Sequence, residues 1–440
     1  MFAKPGRASV LAAALLVLWA PFAPAEEKKP DACPPAEAVE CRARGGLPNV
    51  FAKLEAGQEV RSAYFGGSIT AQAGWRVKTL RWFQEQYPRA KVSEINAAIG
   101  GTGSDLGVYR LRHDVLEQKP DLVFVEFAVN DGGTAPEDIH RSIEGIVRQT
   151  WKADPSTDIC FVYTITQALA GPLLEGRFPR AASAMERIAD PYGIPSIHLA
   201  MEVARLAREG RLIWNQKLPK TDEEKKAVEG KFVFAPDGVH PHPETGHELY
   251  LAAVVRSMGP IKAAGKPGPH ALPAPFAADN WENAKMVPLS AARPSDGWKK
   301  LDPAADALAR RWTARMPEFW KAEKPPAAIT FKFKGTAAAI YDLLGPDCGQ
   351  VIVTLDDKPA RTVARFDRYC TYHRLGTLAI GKNLPDEVHT VKLELSADAP
   401  DKARIFKDGK QDAENPKDNP KYAGLNWYAG AILLVGELTE

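Results

Sequence analysis

Between residues 60 and 200, short apolar runs alternate with segments whose apolar positions recur at helical spacing. Val60–Phe65, Val92–Ile99, Leu122–Phe127, Ile159–Ile165 and Ile194–Leu199 read as buried strands, and Ile139–Trp151 and Arg180–Asp190 as amphipathic helices. A further amphipathic segment, Ile69–Tyr87, carries Val77, Leu80 and Phe83 on one face and meets its stop signal at Pro88. Strands separated by helices need crossover connections, which predicts a mostly parallel sheet covered on both faces. The charged stretch Lys217–Lys231 reads as a solvated surface helix, and a last helix runs from near Glu244 to Met258. Beyond Asp279 the pattern changes. Ala328–Phe333, Ala337–Leu343, Gln350–Leu355, Thr362–Phe366, His389–Leu395 and Ala431–Glu437 are strand-like, with turn residues rather than helices between most of them. That half predicts an antiparallel β-sandwich.

Before the first strand, Lys4 and Arg7 precede an apolar run from Val10 to Phe22, and Ala23-Pro24-Ala25 fits a cleavage site. This is the pattern of a secretory signal peptide, cleaved after Ala25, and predicts a secreted or periplasmic protein without a membrane anchor. The chain thus divides into a signal peptide (1–25), a leader (26–46), an α/β domain (47–262), a Pro/Ala-rich linker (263–280) and a β-sandwich domain (281–440). Charge narrows the picture a little further. The chain has 57 basic and 55 acidic residues among 440, spread rather than striped, so no nucleic-acid footprint is present. Of the five cysteines, Cys33 and Cys41 are near enough to close a small loop, Cys348 and Cys370 to bridge neighbouring strands, and Cys160 reads as a buried thiol in its strand.

In open α/β sheets ligands sit beyond the carboxyl ends of the strands. Three candidate groups fall there: Ser68 after Gly66-Gly67, the Gly100-Gly101-Thr102-Gly103 loop, and Asn130-Asp131. A serine at a strand-to-helix turn is held clear of the sheet beside free amides, which suits a nucleophile that generates an oxyanion. Gly101 and Asn130 add a backbone and a side-chain donor for that charge. Downstream, Asp237 and His240 are three residues apart in a loop bracketed by Pro236 and Pro241. A turn at Gly238 places carboxylate against imidazole, leaving the other ring nitrogen to deprotonate a serine. The same loop has a competing reading: His240, His242 and His247 with Asp237 as metal ligands, although no second cluster completes such a site. The hydrolytic reading calls for no metal and no cofactor.

Gly-Gly-Ser68, Asn96-Ala-Ala-Ile-Gly-Gly101, Glu126-Phe-Ala-Val-Asn130-Asp131 and Asp237-Gly-Val-His240-Pro241 resemble, in order and spacing, blocks I, II, III and V of the SGNH (GDSL-type) hydrolases. The resemblance covers roughly Val60 to Met258. It implies a flavodoxin-like three-layer α/β/α domain with Ser68 as nucleophile, Asp237 and His240 completing a triad, and Ser68, Gly101 and Asn130 forming the oxyanion hole. Two positions depart from the pattern: Gly67 stands where block I usually has aspartate, and Ala128 where block III usually has glycine. Gly-Gly-Ser-Ile-Thr with a C-terminal β-domain is similar to secreted bacterial members associated with polysaccharide breakdown. That likeness implies a serine esterase removing acetyl groups from an acetylated glycan. A glycan O-acyltransferase and a glycan-binding protein with a vestigial hydrolase domain are the alternative readings.

Trp75, Arg76 and Asp131 are candidate substrate contacts beside the blocks. In the second half, Trp312, Phe319 and Trp320 form a cluster able to stack on sugars or to serve as core. The run Asp367-Arg368-Tyr369-Cys370-Thr371-Tyr372-His373 resembles a recurrent strand of accessory sandwiches in such esterases. The mouth of the site reads as polar and shallow, with Gly, Thr, Ser, Asp and Gln72 on its loops.

Overall fold

The computed structural model describes residues 34–409 and 416–440. The expected signal peptide, its cleavage site and Cys33 lie outside the described residues. Six strands form the first sheet: β1 (Cys41–Arg42), β2 (Glu59–Gly66), β3 (Lys91–Asn96), β4 (Leu122–Glu126), β5 (Asp158–Tyr163) and β6 (Ser196–His198), in the order β1-β6-β5-β4-β2-β3. All neighbours are parallel except β1, an antiparallel edge contributed by the leader.

Parallel strands are buried on both faces and therefore read as continuous apolar runs. Every residue of β4 and β5 is buried. Alternation along the strands then sorts them between two cores. Phe65, Val123, Val125 and Phe161 pack beneath helices Ser104–Asp114, Pro136–Ala153 and Arg180–Tyr192. Tyr64, Leu122, Phe124 and Val162 face the opposite way, toward helices Pro48–Glu55, Trp75–Gln86 and Gly246–Ala263. Two short strands, β7 (Leu212–Asn215) and β8 (Phe232–Ala235), pair in parallel outside this sheet.

Some local expectations need correction. The segment expected as one helix over Ile69–Tyr87 is two, Ser68–Ala71 and Trp75–Gln86. The break is at Gly74, where the His247 ring lies so close that a β-carbon would come within 2.3 Å of it. Within Lys217–Lys231 only Asp222–Ala227 is helical, started by a capping box between Thr221 and Glu224. Cys348 and Cys370, expected to bridge strands, are free buried thiols. Each lies in its own turn, where the Cys348 thiol donates to the Leu343 carbonyl and the Cys370 sulfur accepts from the Asp367 amide. Cys160 is the buried strand thiol that its position predicts.

The expected linker is pinned along its length. His270 stacks on Trp151 and bonds Asp158 at 2.8 Å, and the amides of Phe276 and Ala277 donate to the Glu144 carboxylate. It leads to an all-antiparallel sheet of nine strands: β9 (Ala284–Pro288), β10 (Trp298–Lys300), β11 (Trp320–Ala322), β12 (Ala328–Leu344), β13 (Gln350–Leu355), β14 (Arg361–Ala364), β15 (Arg374–Gly381), β16 (Glu387–Leu395) and β17 (Trp427–Thr439). The long β12 pairs with β16 along its first half and with β15 along its second. Register shifts near Gly335 and Ala338 accompany this exchange of partners, as bulges do where a strand passes between layers.

The first half of β12 alternates buried and exposed; the second is buried almost throughout. Its outward residues Ala337, Tyr341 and Leu343, with Leu433 of β17, join one apolar cluster with Leu106, Tyr109 and Trp281. Helix Ser104–Asp114 is consequently covered on both sides, by its own sheet and by the second domain. Lys382 with Asp138 and Arg141 with Asn383 add polar contacts at the edge of this junction.

Candidate active site

β2 is flanked by β3 on one side and β4 on the other, so the connections diverge at its carboxyl end and leave a crevice there. Ser68 opens the helix that follows β2 directly. Its hydroxyl lies 2.8 Å from His240 Nε2, and His240 Nδ1 lies 2.7 Å from Asp237 Oδ2. The other carboxylate oxygen, Asp237 Oδ1, accepts the amides of Val239 and His240 at 2.9 and 2.8 Å. Burial raises the Asp237 pKa, but the bond from His240 and the two amides outweigh it, and the carboxyl sits below its ordinary range. An ionised Asp237 holds the proton of His240 on Nδ1, which leaves Nε2 facing Ser68 as an acceptor.

The loop bearing this pair is held from outside. Gly238 has φ +72°, a left-handed conformation, and its carbonyl accepts the Gln167 amide at 2.8 Å. His242 and His247 do not converge on His240. His242 Nε2 meets the Gln216 carbonyl, while His247 accepts the Trp75 amide and reaches Gln72.

Block II and block III residues close around Ser68. A β-carbon at Gly100 would stand 3.4 Å from that of Ser68, and Gly101 follows at φ +73° on the wall of the same cleft. Buried Arg110 holds this loop from below: it donates to the Ala97 carbonyl and to Asp114 and lies over the Phe65 ring. The Asn130 side chain rests against Gly67. Beneath the turn, buried Glu126 accepts the hydroxyls of Thr70 and Thr164, each at 2.8 Å, and the Gly67 amide.

The other three candidates do not reach the cleft. Trp75 is fully enclosed, with Tyr64 and Phe124 edge-on to its ring. Arg76 is buried and paired with Glu94. Asp131 is buried and accepts the Ser104 amide, which ties the block III turn to the start of helix Ser104–Asp114. Each is a packing or turn residue, since burial in this α/β domain leaves no face for a ligand.

Trp312 and the run Asp367–His373, singled out in the sequence without a place in the fold, belong to the opposite wall, and Arg311 and Arg315 beside them went unnoticed. The cleft over Ser68 has a volume of about 820 Å³ and is completed by the second domain through Arg311, Trp312, Arg315, Tyr369, Tyr372 and His373. It is therefore neither shallow nor bounded only by small polar loops. Of the aromatic cluster, Trp312 faces the cleft, whereas Phe319 is buried in a stack on Tyr428 and Trp320 bonds Glu318 from β11. Tyr369 and Tyr372 are about half exposed, at 47% and 55%. A signal was present in the close spacing of arginines and aromatics in Arg310-Arg-Trp-Thr-Ala-Arg315 and Arg368-Tyr-Cys-Thr-Tyr-His-Arg374. Nothing in either segment alone says that it lies over Ser68.

Residues 64–249 match the GDSL-like lipase/acylhydrolase family. The chain carries a GDSL-like domain. The match runs from the end of β2 to the start of helix Gly246–Ala263, and so covers every block described above but not the second-domain wall. No curated protein sequence is similar enough to count as a relative. Among solved structures, the chain is similar to a two-domain esterase active on acetylated mannans, in one case co-crystallised with mannopentaose. Identity is 20% and the TM-score 0.67, over 91% of this chain and 98% of that one. At that identity the likeness establishes a shared fold, extending through the GDSL-like domain and the antiparallel domain together. An acetylxylan esterase from Geobacillus stearothermophilus aligns with 46% of this chain and 94% of its own, at 17% identity and a TM-score of 0.34. Among the described residues no helix is long and apolar enough to cross a membrane.

Proposed function

We propose that this protein is a secreted serine esterase that removes acetyl or similarly short acyl groups from a glycan. The observation that carries the reading is the unbroken chain of contacts from Ser68 through His240 to Asp237. In this mechanism Ser68 Oγ attacks the ester carbonyl and passes its proton to His240 Nε2. Asp237 stabilises the imidazolium. The carbonyl oxygen takes up negative charge facing the Ser68 and Gly101 amides and the Asn130 side-chain amide. Collapse breaks the bond to the sugar oxygen, which leaves with the proton from His240. Water, deprotonated by the same nitrogen, then releases the acid and restores Ser68. No step uses a metal.

The short acyl group follows from the cleft lining. Its only aliphatic side chains larger than alanine are Ile99 and Leu375. A long acyl chain needs an apolar trench to gain about 0.8 kcal/mol for each methylene buried. The glycan is supported by the aromatic wall of Trp312, Tyr369 and Tyr372, rings on which a pyranose face can stack, and by the fold shared with an esterase active on acetylated mannans. Export rests on the N-terminal pattern of Lys4, Arg7 and the apolar run before Ala25.

The test is acetate release from acetylated polysaccharides by the wild type and by Ser68→Ala, with an organophosphonate probe to mark the nucleophile. Acetate release that Ser68→Ala abolishes, and a single adduct on Ser68, are expected. Labelling elsewhere, activity that persists in the alanine variant, or a preference rising with acyl length to octanoate would overturn the reading.

A further inference from the structure

Two arginines on the second-domain wall, Arg311 and Arg315, have no carboxylate partner among the described residues, yet both line the cleft over Ser68. Several arginines elsewhere are matched, Arg141 with Asp138 and Asp279, Arg148 with Glu282, and Arg365 with Asp342, while others bond backbone carbonyls. A third guanidinium on the same wall, Arg374, spends one nitrogen on Asp367 and leaves its buried Nε without a partner. Among the described residues, no aspartate or glutamate lines the cleft. Arg311 lies over the Trp312 ring, its Cζ 5.0 Å from the centroid, which orders the side chain at low entropic cost. Like charges gathered in a concave site raise the local concentration of anions. A planar guanidinium also matches a carboxylate bidentately.

We propose that the glycan taken by this cleft is anionic: a polysaccharide in which a uronic-acid carboxylate lies close to the acetylated sugar and pairs with Arg311 and Arg315. The inference rests on the esterase reading of Ser68 and gives it a substrate class. Trp312 and Tyr372 take the sugar faces, the two arginines read the carboxylate, and the acetyl group reaches Ser68. A neutral acetylated glycan binds through the rings alone and leaves both guanidinium groups without a counter-charge.

The test separates binding from turnover. In Ser68→Ala, the affinity for oligogalacturonides is compared with that for manno- and xylo-oligosaccharides of equal length, by titration calorimetry at low and high salt. The acidic oligomer is expected to bind roughly tenfold tighter at low salt, with the advantage shrinking as salt screens the pair. Carrying Arg311→Gln and Arg315→Gln together, the wild-type preference in kcat/KM for acetylated oligogalacturonides over acetylated manno-oligosaccharides is expected to fall by roughly tenfold. Arg311 is exposed and Arg315 half-buried, so these changes leave the fold intact, which the melting temperature checks. Equal affinity for acidic and neutral oligomers, or a preference that the double variant retains, overturns the inference even if acetate is released from neutral glycans. Selective binding of the acidic oligomer without acetate release leaves it standing and removes the esterase reading instead.

Discussion

The Asn130 side chain occupies the space in which residue 67 would carry a β-carbon: an alanine there would place that carbon 1.9 Å from Asn130 Oδ1. In this chain, glycine at 67 leaves that space to Asn130. Gly67 adopts φ −91° and ψ −155°, a conformation open to any residue, so the constraint comes from Asn130 and not from the backbone.

Gly67→Ala is therefore expected to spare the fold and damage the chemistry. The atom in the way is the tip of a movable side chain, so Asn130 is expected to swing aside and leave the oxyanion position proposed for it. Loss of one such donor lowers kcat by about 10²–10³-fold. Steady-state kinetics on a short acetyl ester should show kcat falling with KM nearly unchanged. A wild-type kcat would show that Asn130 is not an oxyanion donor.

Glu126 makes stability depend on pH. Burial, with the Asp131 carboxylate adding to it, pushes the Glu126 pKa up to about 7 against the bonds from Thr164, Thr70 and the Gly67 amide; burial likewise lifts Asp131 to about 7. An acid whose folded pKa is raised contributes stability that is fully present below its unfolded value, near 4.5 for Glu126, and is lost as pH rises through about 7. Burial pushes His198 and His247 down to about 3, and their contribution runs the other way: present above 6.5 and lost as pH falls through about 3. The two slopes oppose each other in the wild type, so the difference between variants is the informative quantity. Between pH 5 and 8 the melting temperature of Glu126→Gln should gain on that of the wild type by roughly 2–4 °C. A flat difference, or one of opposite sign, would refute the account.

Asp342 and Arg365 form a buried pair in the second domain. Arg365 Nε lies 2.6 Å from Asp342 Oδ2, Nη2 bonds the other oxygen, and Trp427 Nε1 donates to the same carboxylate. Both residues are almost without solvent exposure. Asp342→Ala strands the guanidinium and is expected to cost about 3–5 kcal/mol in urea unfolding. Residues 366–373 run from this pair to Tyr369 and Tyr372, so the variant should also raise KM for polysaccharide more than for a small ester. Unchanged stability would mean that Arg365 finds another partner.

Dialysis against EDTA is expected to leave ester hydrolysis intact. Among the described residues one group brings potential metal donors within 4.8 Å of one another: Asp347, Cys348 and His373. Its carboxylate is already engaged by His373, Asn426 and Tyr428 at 2.6–2.8 Å. Burial holds the Cys348 thiol far above its usual pKa, hence protonated and a poor ligand. Activity lost to EDTA and restored by zinc would instead make this group, beside the cleft, a metal site.

Whatever depends on neighbours along the chain was legible before any fold was known. A short apolar run such as Leu122–Val125, rich in β-branched residues, reads as a strand buried on two faces, and alternation along the later strands marks a half-solvated antiparallel sheet. Short-range spacing likewise announced Ser68 after its glycines and the Asp237–His240 turn. Tertiary structure decided whatever depends on residues far apart. Trp75 and Arg76 carry polar tips that suit a ligand, yet they face a core because helix Trp75–Gln86 turns that side toward Tyr64, Phe124 and Glu94. His247, 173 residues from Gly74, splits a helix that local periodicity makes continuous. Most of all, the cleft wall of Arg311, Trp312, Arg315 and Tyr372 lies over Ser68 only because Ala337, Tyr341 and Leu343 of β12 bury against helix Ser104–Asp114. Apolar burial is non-directional, and a pattern of hydrophobic positions says that a face will be covered without saying by what.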